Sequence, residues 1–352
     1  MPDYDLLVAG GGPAGAAAAA TAARRGLDVL LLERGGHRRP KPCGGLLPQV
    51  AAEVVEDIFG EEIPEDVMST PRDLGLFYSP PSGLRNGGWV KNYRVLNIDR
   101  PLFDEWIRVR AESMGVEVTY GSSLVDFEVC GSVRSKIKGK DGSVSTVDSP
   151  YLVGADGVFS IVRRRLARSR ARLMGVIQET WEGSGELDGF HVFFDSRLTS
   201  TYGYVIPKGG RFEIGLGVSG DKAANPSDRM DAFRGLLGKN LGLKLGSLLR
   251  RDSWAIPYGF IHKGEGPVLL VGDAAGFCNP LSGEGIRLGM ESGEAAGSAV
   301  TDSLRMSVEA LPLYSSYVRQ LERLIMQVYE FSSTFTDEAR EEFVRSELGR
   351  LV

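Results

Sequence analysis

The residues of this chain best suited to chemistry stand in glycine-rich loops. The first, Gly10-Gly11-Gly12-Pro13-Ala14-Gly15, fits G-x-G-x-x-G and lies between an apolar run, Tyr4 to Ala9, and an alanine-rich run, Ala14 to Ala23. A strand that feeds a helix through such a turn makes an anion site. Gly10 permits the tight turn, Gly12 lets a pyrophosphate approach the backbone, and Gly15 lets helix and strand pack closely. The free N–H groups at the helix start then face the phosphates. Glu33 follows 18 residues after Gly15, at the end of a second apolar run, where a carboxylate accepts hydrogen bonds from a nucleotide ribose. Arg34 beside it is either a contact to the adenine or a solvated cation. These residues specify a dinucleotide without saying which one.

A second loop, Gly272-Asp273-Ala274-Ala275-Gly276, closes the apolar run Val268 to Val271. The segment Asn279 to Ile286, with Pro280, Gly283 and Gly285, then opens a helix whose N–H groups can stabilise negative charge on an electron-rich ring. A third loop carries Lys41-Pro42-Cys43-Gly44-Gly45. Its thiol can hold or donate a proton, or pack as a small apolar group. Cys278 sits in the second loop, and a redox disulfide with Cys43 would need their Cα atoms within bonding range. With Cys130 these make three cysteines, too widely spaced for zinc and one short of an iron–sulfur set, so no metal is expected. His37 and His262 read as surface residues, and His191, among Phe190, Val192, Phe193 and Phe194, faces either the core, as a packing residue, or the substrate.

The elements that must position these loops alternate. Strands are expected at Tyr4 to Ala9, Asp28 to Glu33 and Pro267 to Val271, with helices at Ala14 to Ala23, Gln49 to Phe59 and Arg100 to Met114, the last after the N-cap candidate Asp99. Gly35 to Pro48 reads as a long loop, Lys140 to Ser143 as a hairpin turn, and Leu173 to Trp254 as strands interrupted by a helix near Ser227 to Leu237. A helix runs to about Leu304, and Leu311 to about Glu347 reads as helical with mixed charge.

Composition narrows the classes. At 352 residues and 42% hydrophobic content the chain suits about two globular domains. A net charge of -5 disfavours nucleic acid as a partner. The few cysteines and the lack of an apolar run of ~18 residues point to a reduced, cytoplasmic protein. The cluster Arg163, Arg164, Arg165, Arg168, Arg170 and Arg172 is either a solvated helix face or an attractor for phospholipid headgroups or a prenyl diphosphate.

Five segments together resemble the geranylgeranyl reductase family, within the FAD enzymes of para-hydroxybenzoate-hydroxylase-like fold. They are Gly10 to Gly15 with Glu33; Lys41 to Gly45; Asp99 to Asp104 with Gly154-Ala155-Asp156-Gly157; Gly272 to Ile286; and Tyr202-Gly203-Tyr204-Val205-Ile206-Pro207-Lys208. The resemblance spans about residues 4 to 290. It implies an α/β fold, α+β overall: a Rossmann-like FAD-binding domain over 1–70, 95–168 and 265–305, an inserted antiparallel-sheet substrate domain over 71–94 and 169–264, and C-terminal helices over 306–352. It places Arg100 near the FAD pyrophosphate or adenine, Asp156 and Gly157 at a third nucleotide fingerprint, and Gly272 and Asp273 at the ribityl or pyrophosphate end. Gly44 and Gly45 would let their loop pass close to the flavin ring, with Cys43 as the first candidate proton donor. Tyr202, Tyr204, Pro207, Phe212 and Trp254 would line either a hydrophobic isoprenoid tunnel or a closed sheet core.

The chemistry implied is hydride delivery from reduced flavin to an isolated C=C bond of a polyprenyl chain on a lipid, quinone or diphosphate, with an acid protonating the other carbon. No second dinucleotide cradle appears, so NAD(P)H as a visitor or a ferredoxin-like protein would supply electrons, and a lipid acceptor would bring peripheral membrane contact. The shared motifs leave open an FAD monooxygenase or a halogenase, for which Lys41 is a candidate catalytic lysine. They also leave open a quinone-linked flavoprotein dehydrogenase and a flavin-binding protein without catalysis.

Overall fold

Four short runs that are almost wholly apolar cannot expose either face, and they pair side by side in a parallel sheet. The computed structural model describes residues 3–167, 171–218 and 225–349. Its six-stranded sheet has the order Gly264–Glu265, Val268–Leu270, Tyr151–Gly154, Leu6–Ala9, Val29–Glu33, Glu117–Tyr120. All neighbours are parallel except the Gly264–Glu265 edge. Leu6 faces Tyr151 on one side and Val29 on the other, which aligns the strand ends so that Gly10, Ala155 and Gly272 leave the sheet at one carboxyl edge. Ligands of open α/β sheets bind at such an edge.

The alanine-rich run forms the helix Pro13–Arg24, which starts on proline where a missing N–H costs nothing. Its small side chains let it lie against the helix Ile286–Met306 at backbone distance. A Cβ on Gly293 would sit 2.1 Å from the Ala14 carbonyl oxygen, and one on Gly297 2.5 Å from that of Ala18. The helix Arg100–Ser113 is capped by Asp99, whose Oδ1 accepts from the Leu102 N–H at 3.2 Å.

The second sheet has eight strands in the order Lys244–Pro257, Leu173–Ser184, Arg211–Val218, Gly203–Pro207, Gly189–Phe193, Met68–Ser79, Gly88–Ile98, Leu46–Pro48. Every pairing is antiparallel except that of Gly189–Phe193 with Met68–Ser79. The sheet reaches beyond the expected 71–94 and 169–264, because the ladder continues from Met68 to Ile98 and recruits Leu46–Pro48 from the expected loop. One face is covered by the helix Pro226–Leu241, longer than expected, through Met230, Phe233 and Leu237. A separate three-stranded sheet, Ser123–Cys130, Ser132–Lys138 and Val144–Ser149, turns at Lys140 to Ser143, where Asp141 accepts from the Ser143 N–H at 2.9 Å.

The expected helical stretch after Leu311 is three helices, Ala310–Tyr317, Arg319–Ser333 and Asp337–Gly349. Phe335 and Val344 of this region are buried against Leu76, Val192 and Phe194 of the second sheet. Among the described residues no helix is long and apolar enough to cross a membrane.

Candidate functional site

Between the two sheets lies a cavity of about 690 Å³ whose lining runs from Ala9 to Phe343. Of the residues given cofactor, catalytic or substrate roles from the sequence, all but Gly15, Pro280, Pro207 and Phe212 line it. Gly15 serves the packing role expected of it: its missing Cβ would lie 1.9 Å from the Gly10 carbonyl oxygen. Pro280 is buried away from the cavity.

Pro207 and Phe212 fall on the wrong side of the sheet, and the cause is the two-residue period of a strand. Tyr202, Tyr204 and Ile206 point to the cavity, so Pro207 cannot. Opposite them, Gly217 lines the cavity, while Phe212, Ile214 and Leu216 pack with Phe233 and Leu237 under the helix Pro226–Leu241. Phe212 is thus core and not a substrate contact. Tyr202 donates to the Ser282 carbonyl, and Trp254 stands edge-on to Phe159 at 5.5 Å with its buried Nε1 unpartnered.

One end of the cavity is polar. Gly10, with φ of +116°, adopts a conformation open to glycine, and a Cβ there would meet the Ala155 carbonyl oxygen at 2.4 Å. Glu33 is buried at the same end, its Oε1 accepting from the Gly35 N–H at 2.7 Å and pairing with Arg39 at 3.1 Å. Arg100 is buried and donates to Asp104 Oδ1 at 2.7 Å. Burial alone would raise the Asp104 carboxyl, but Arg100, Arg39 and Lys41 outweigh it and hold it below the usual range. Asp156 accepts from the Ile161 N–H at 2.6 Å at the start of the helix Ile161–Leu166, whose N-cap is Ser160, and its Oδ1 is buried without a partner. Arg34 is exposed at the rim.

Sequence reading missed Arg108 and Arg39. Arg108 is fully buried, donates to the Gly11 carbonyl at 2.8 Å and lies 4.0 Å from Glu33. The available signal was the spacing Arg100, Asp104, Arg108, which puts three charges on one stripe of a helix beside Phe103 and Ile107.

The Cys43 loop lines the middle of the cavity. Cys43 is half-buried, and its Sγ accepts from the Gly45 N–H at 3.4 Å. Gly45 has φ of +61°, and a Cβ there would meet the Ile98 carbonyl oxygen at 2.4 Å, while one on Gly44 would meet Ile206 at 2.6 Å. The space that a Cβ would need at these glycines is filled by the protein itself, and both residues line the cavity. Lys208, also unforeseen, is buried behind this loop and donates to the Ile98 carbonyl at 2.8 Å and that of Gly45 at 3.4 Å. Burial pulls its ammonium down to about 8. Lys41 Nζ lies 3.6 Å from Asp273 Oδ2.

Cys43 and Cys278 are free thiols, and burial pushes the Cys278 thiol up. His191 packs between Phe77 at 4.8 Å and Trp89 at 5.3 Å, and burial lowers it to about 4. His37 is exposed and its ring lies tilted against Tyr120 at 4.1 Å. His262 is partly covered, with its Nδ1 buried, and not the plain surface residue expected. The arginine cluster is not one patch. Arg163 is buried and donates to the Ala274 carbonyl at 2.8 Å, Arg164 lines the cavity, Arg165 pairs with Asp126 at 3.0 Å, and Arg172 donates to the Tyr329 hydroxyl at 2.8 Å. Arg168 and Arg170 lie outside the described residues.

The other end of the cavity is apolar, lined by Leu76, Tyr78, Phe190, Val192, Phe194 and Phe343. A phosphate-approaching helix start, a buried ribose-type carboxylate and the unpartnered Asp156 oxygen fit a dinucleotide at the polar end, with space continuing toward the second sheet. This is the layout of a flavoprotein oxidoreductase. A family model described as an FAD binding domain matches residues 3–207. The geranylgeranyl diphosphate reductase of Rhodobacter capsulatus is 30% identical over 314 residues, which cover 86% of this chain and 76% of that protein. Protein CbrA of Escherichia coli is 27% identical over 297 residues, 82% of this chain and 79% of that one.

Among solved structures, a geranylgeranyl bacteriochlorophyll reductase-like protein from Thermoplasma acidophilum superposes with a TM-score of 0.84 at 21% identity, over 98% of this chain and 91% of that one. A myxobacterial chondrochloren halogenase superposes with a TM-score of 0.78 at 19% identity, over 99% and 90%. The chain belongs to the family of FAD-dependent oxidoreductases that includes the geranylgeranyl reductases, and FAD is its cofactor.

Proposed function

We propose that the protein reduces isolated C=C bonds of a polyprenyl chain carried on a lipid, a quinone or a diphosphate. The observation that carries this reading is the continuity of one cavity from the dinucleotide end to a wall of Leu76, Phe190, Val192, Phe194 and Phe343, a shape and polarity suited to an aliphatic chain. The relative from Rhodobacter capsulatus, a geranylgeranyl diphosphate reductase, supports it. Bound FAD supplies the two-electron hydride chemistry.

The protein's own residues do the rest. Gly10, Gly12, Ala14 and Glu33 would hold the cofactor's phosphates and ribose, with Arg100 and Asp273 along its length. The apolar wall orients the chain and excludes water. An unpolarised alkene must gain a proton on one carbon as hydride reaches the other, and Cys43 Sγ and the Tyr204 hydroxyl are the candidate donors facing the cavity. Burial raises the Tyr204 hydroxyl well above its usual value, which keeps its proton in place. NAD(P)H or a ferredoxin-like protein would deliver electrons, and a lipid-borne acceptor would be met at a membrane surface.

The test is anaerobic. The purified FAD protein is reduced with dithionite, geranylgeranyl diphosphate or a geranylgeranyl phospholipid is added, and flavin reoxidation is followed together with the mass of the lipid. Reoxidation with a gain of about two hydrogens per reduced bond supports the proposal. Reoxidation that requires oxygen and yields a hydroxylated or halogenated product assigns the protein instead to the chemistry of an oxygen-using relative.

A further inference from the structure

On the cavity-side face of the second sheet, three polar side chains form a line that crosses neighbouring strands. Tyr204 donates its hydroxyl proton to Gln178 Oε1 at 2.7 Å. Gln178 Nε2 donates to Glu213 Oε2, and also reaches the Cys43 carbonyl oxygen at 3.5 Å. Tyr204 and Gln178 line the cavity and Glu213 stands behind them. The line exists because residue 215 has no side chain: a Cβ there would lie 2.1 Å from Tyr204 Cζ, so the ring can lie flat across the neighbouring strand.

We infer that Glu213 is a positioning residue that sets, through the Gln178 amide, which way the Tyr204 hydroxyl proton points. The inference rests on the reading that this cavity needs a proton donor. As a carboxylate, Glu213 can only accept, which holds the amide with Nε2 toward it and Oε1 toward Tyr204. The tyrosine proton is then turned away from the cavity. As a carboxylic acid, Glu213 can donate to Oε1 once the amide turns over, Nε2 then donates to the Tyr204 oxygen, and the hydroxyl proton is directed into the cavity. The turn gives up the bond to the Cys43 carbonyl. One proton from solvent is added to Glu213, and the O–H bond of Tyr204 is never broken.

The surroundings place this change in an accessible range. Burial raises the Glu213 carboxyl to about 7, opposed by Lys208 just past the end of the adjoining strand, by Arg250 on Lys244–Pro257 and by Arg211 on its own strand, with Asp252 acting in the same direction as burial. An amide that is both donor and acceptor is the one side chain between Tyr204 and Glu213 that can reverse its polarity without leaving its place.

The FAD-loaded protein is titrated from about pH 5.5 to about pH 8.5, a range that brackets the Glu213 change, and infrared difference spectra are recorded. Wild type is compared with Glu213→Gln, Gln178→Leu and Tyr204→Phe, the last assigning the tyrosine C–O band. In wild type a carboxylic-acid band grows as pH falls through about 7 and the tyrosine band moves with it. Glu213→Gln loses both changes. Gln178→Leu keeps the carboxyl titration and loses the tyrosine movement, so the idea stays testable if Glu213→Gln fails to fold. In turnover, the fall in rate above about pH 7, up to tenfold per pH unit, flattens in Glu213→Gln.

A tyrosine band that moves in either variant as in wild type, or that stays still in wild type, overturns the proposal. The spectra involve no acceptor. A failure to reduce polyprenyl chains and a failure of this coupling are therefore separate results.

Discussion

Gly293→Ala should destabilise the protein and loosen its hold on FAD, although the same change in a free helix would stabilise it. Alanine is the better helix former by about 1 kcal/mol. Here the new Cβ would sit 2.1 Å from the Ala14 carbonyl oxygen and 3.1 Å from the Ala18 nitrogen. Both are backbone atoms of a helix that cannot rotate aside, so the two helices must part by about 1 Å, an overpacking cost of about 1–3 kcal/mol. The net is a loss of up to about 2 kcal/mol once propensity is subtracted. Because Ala14 both receives the clash and lines the dinucleotide end, FAD content should fall with stability.

Gly235→Ala is the internal control. It lies in the helix Pro226–Leu241, exposed, with nothing within 4 Å of its would-be Cβ, and it should gain about 0.5–1 kcal/mol. Urea denaturation of both variants, with flavin absorbance per protein as the second readout, decides the matter. A Gly293→Ala protein as stable and as flavin-rich as wild type would refute the backbone-contact argument.

Further outcomes follow from the site. Glu33→Ala removes the buried carboxylate and leaves Arg39 and Arg108 facing an empty position, so flavin should be lost on gel filtration; full retention would remove the ribose assignment. Cys43→Ser should keep flavin and slow alkene reduction, and unchanged turnover would take Cys43 out of the mechanism. Lys208 tests a pH dependence. Below about pH 8 both folded and unfolded chains hold its proton, and between about 8 and 10.5 only the unfolded chain does, so wild type gains stability as pH rises through that window. The gain is about 3 kcal/mol, from roughly two and a half units at 1.36 kcal/mol each. The difference in unfolding free energy between wild type and Lys208→Met should shift in favour of wild type by that amount, and a difference independent of pH would contradict the burial of this ammonium.

The cofactor half of the molecule was legible because its signals are local. Strand, glycine turn, helix and acid follow one another within 30 residues, so their order and spacing can be read without knowing that Gly10 packs on Ala155. The second sheet was harder. Its residues were identified as a strand pattern, but which parity faces the cavity depends on what packs behind, and aromatic residues stand on both faces: Tyr204 on one, Phe212 on the other. Arg108 was passed over because a charged helix residue ordinarily faces water; its burial here is met by the Gly11 carbonyl and by Glu33, both distant in sequence. Phe343 could not be placed at all, since its helix reaches the cavity through tertiary packing with Phe194 and Tyr78.

The cavity wall draws on residues from Ala9 to Phe343. No short contiguous fragment of the chain contains it, and its closure must await pairings between segments separated by most of the sequence. Such long-range topology slows folding, because loop entropy is spent before the contacts that reward it are made. It also means that FAD binds only what is already assembled. At a free concentration a hundred times its dissociation constant, the cofactor would add about 2.7 kcal/mol to the stability of the folded state as a whole. Flavin supply during expression would then decide how much of the chain survives to be assayed.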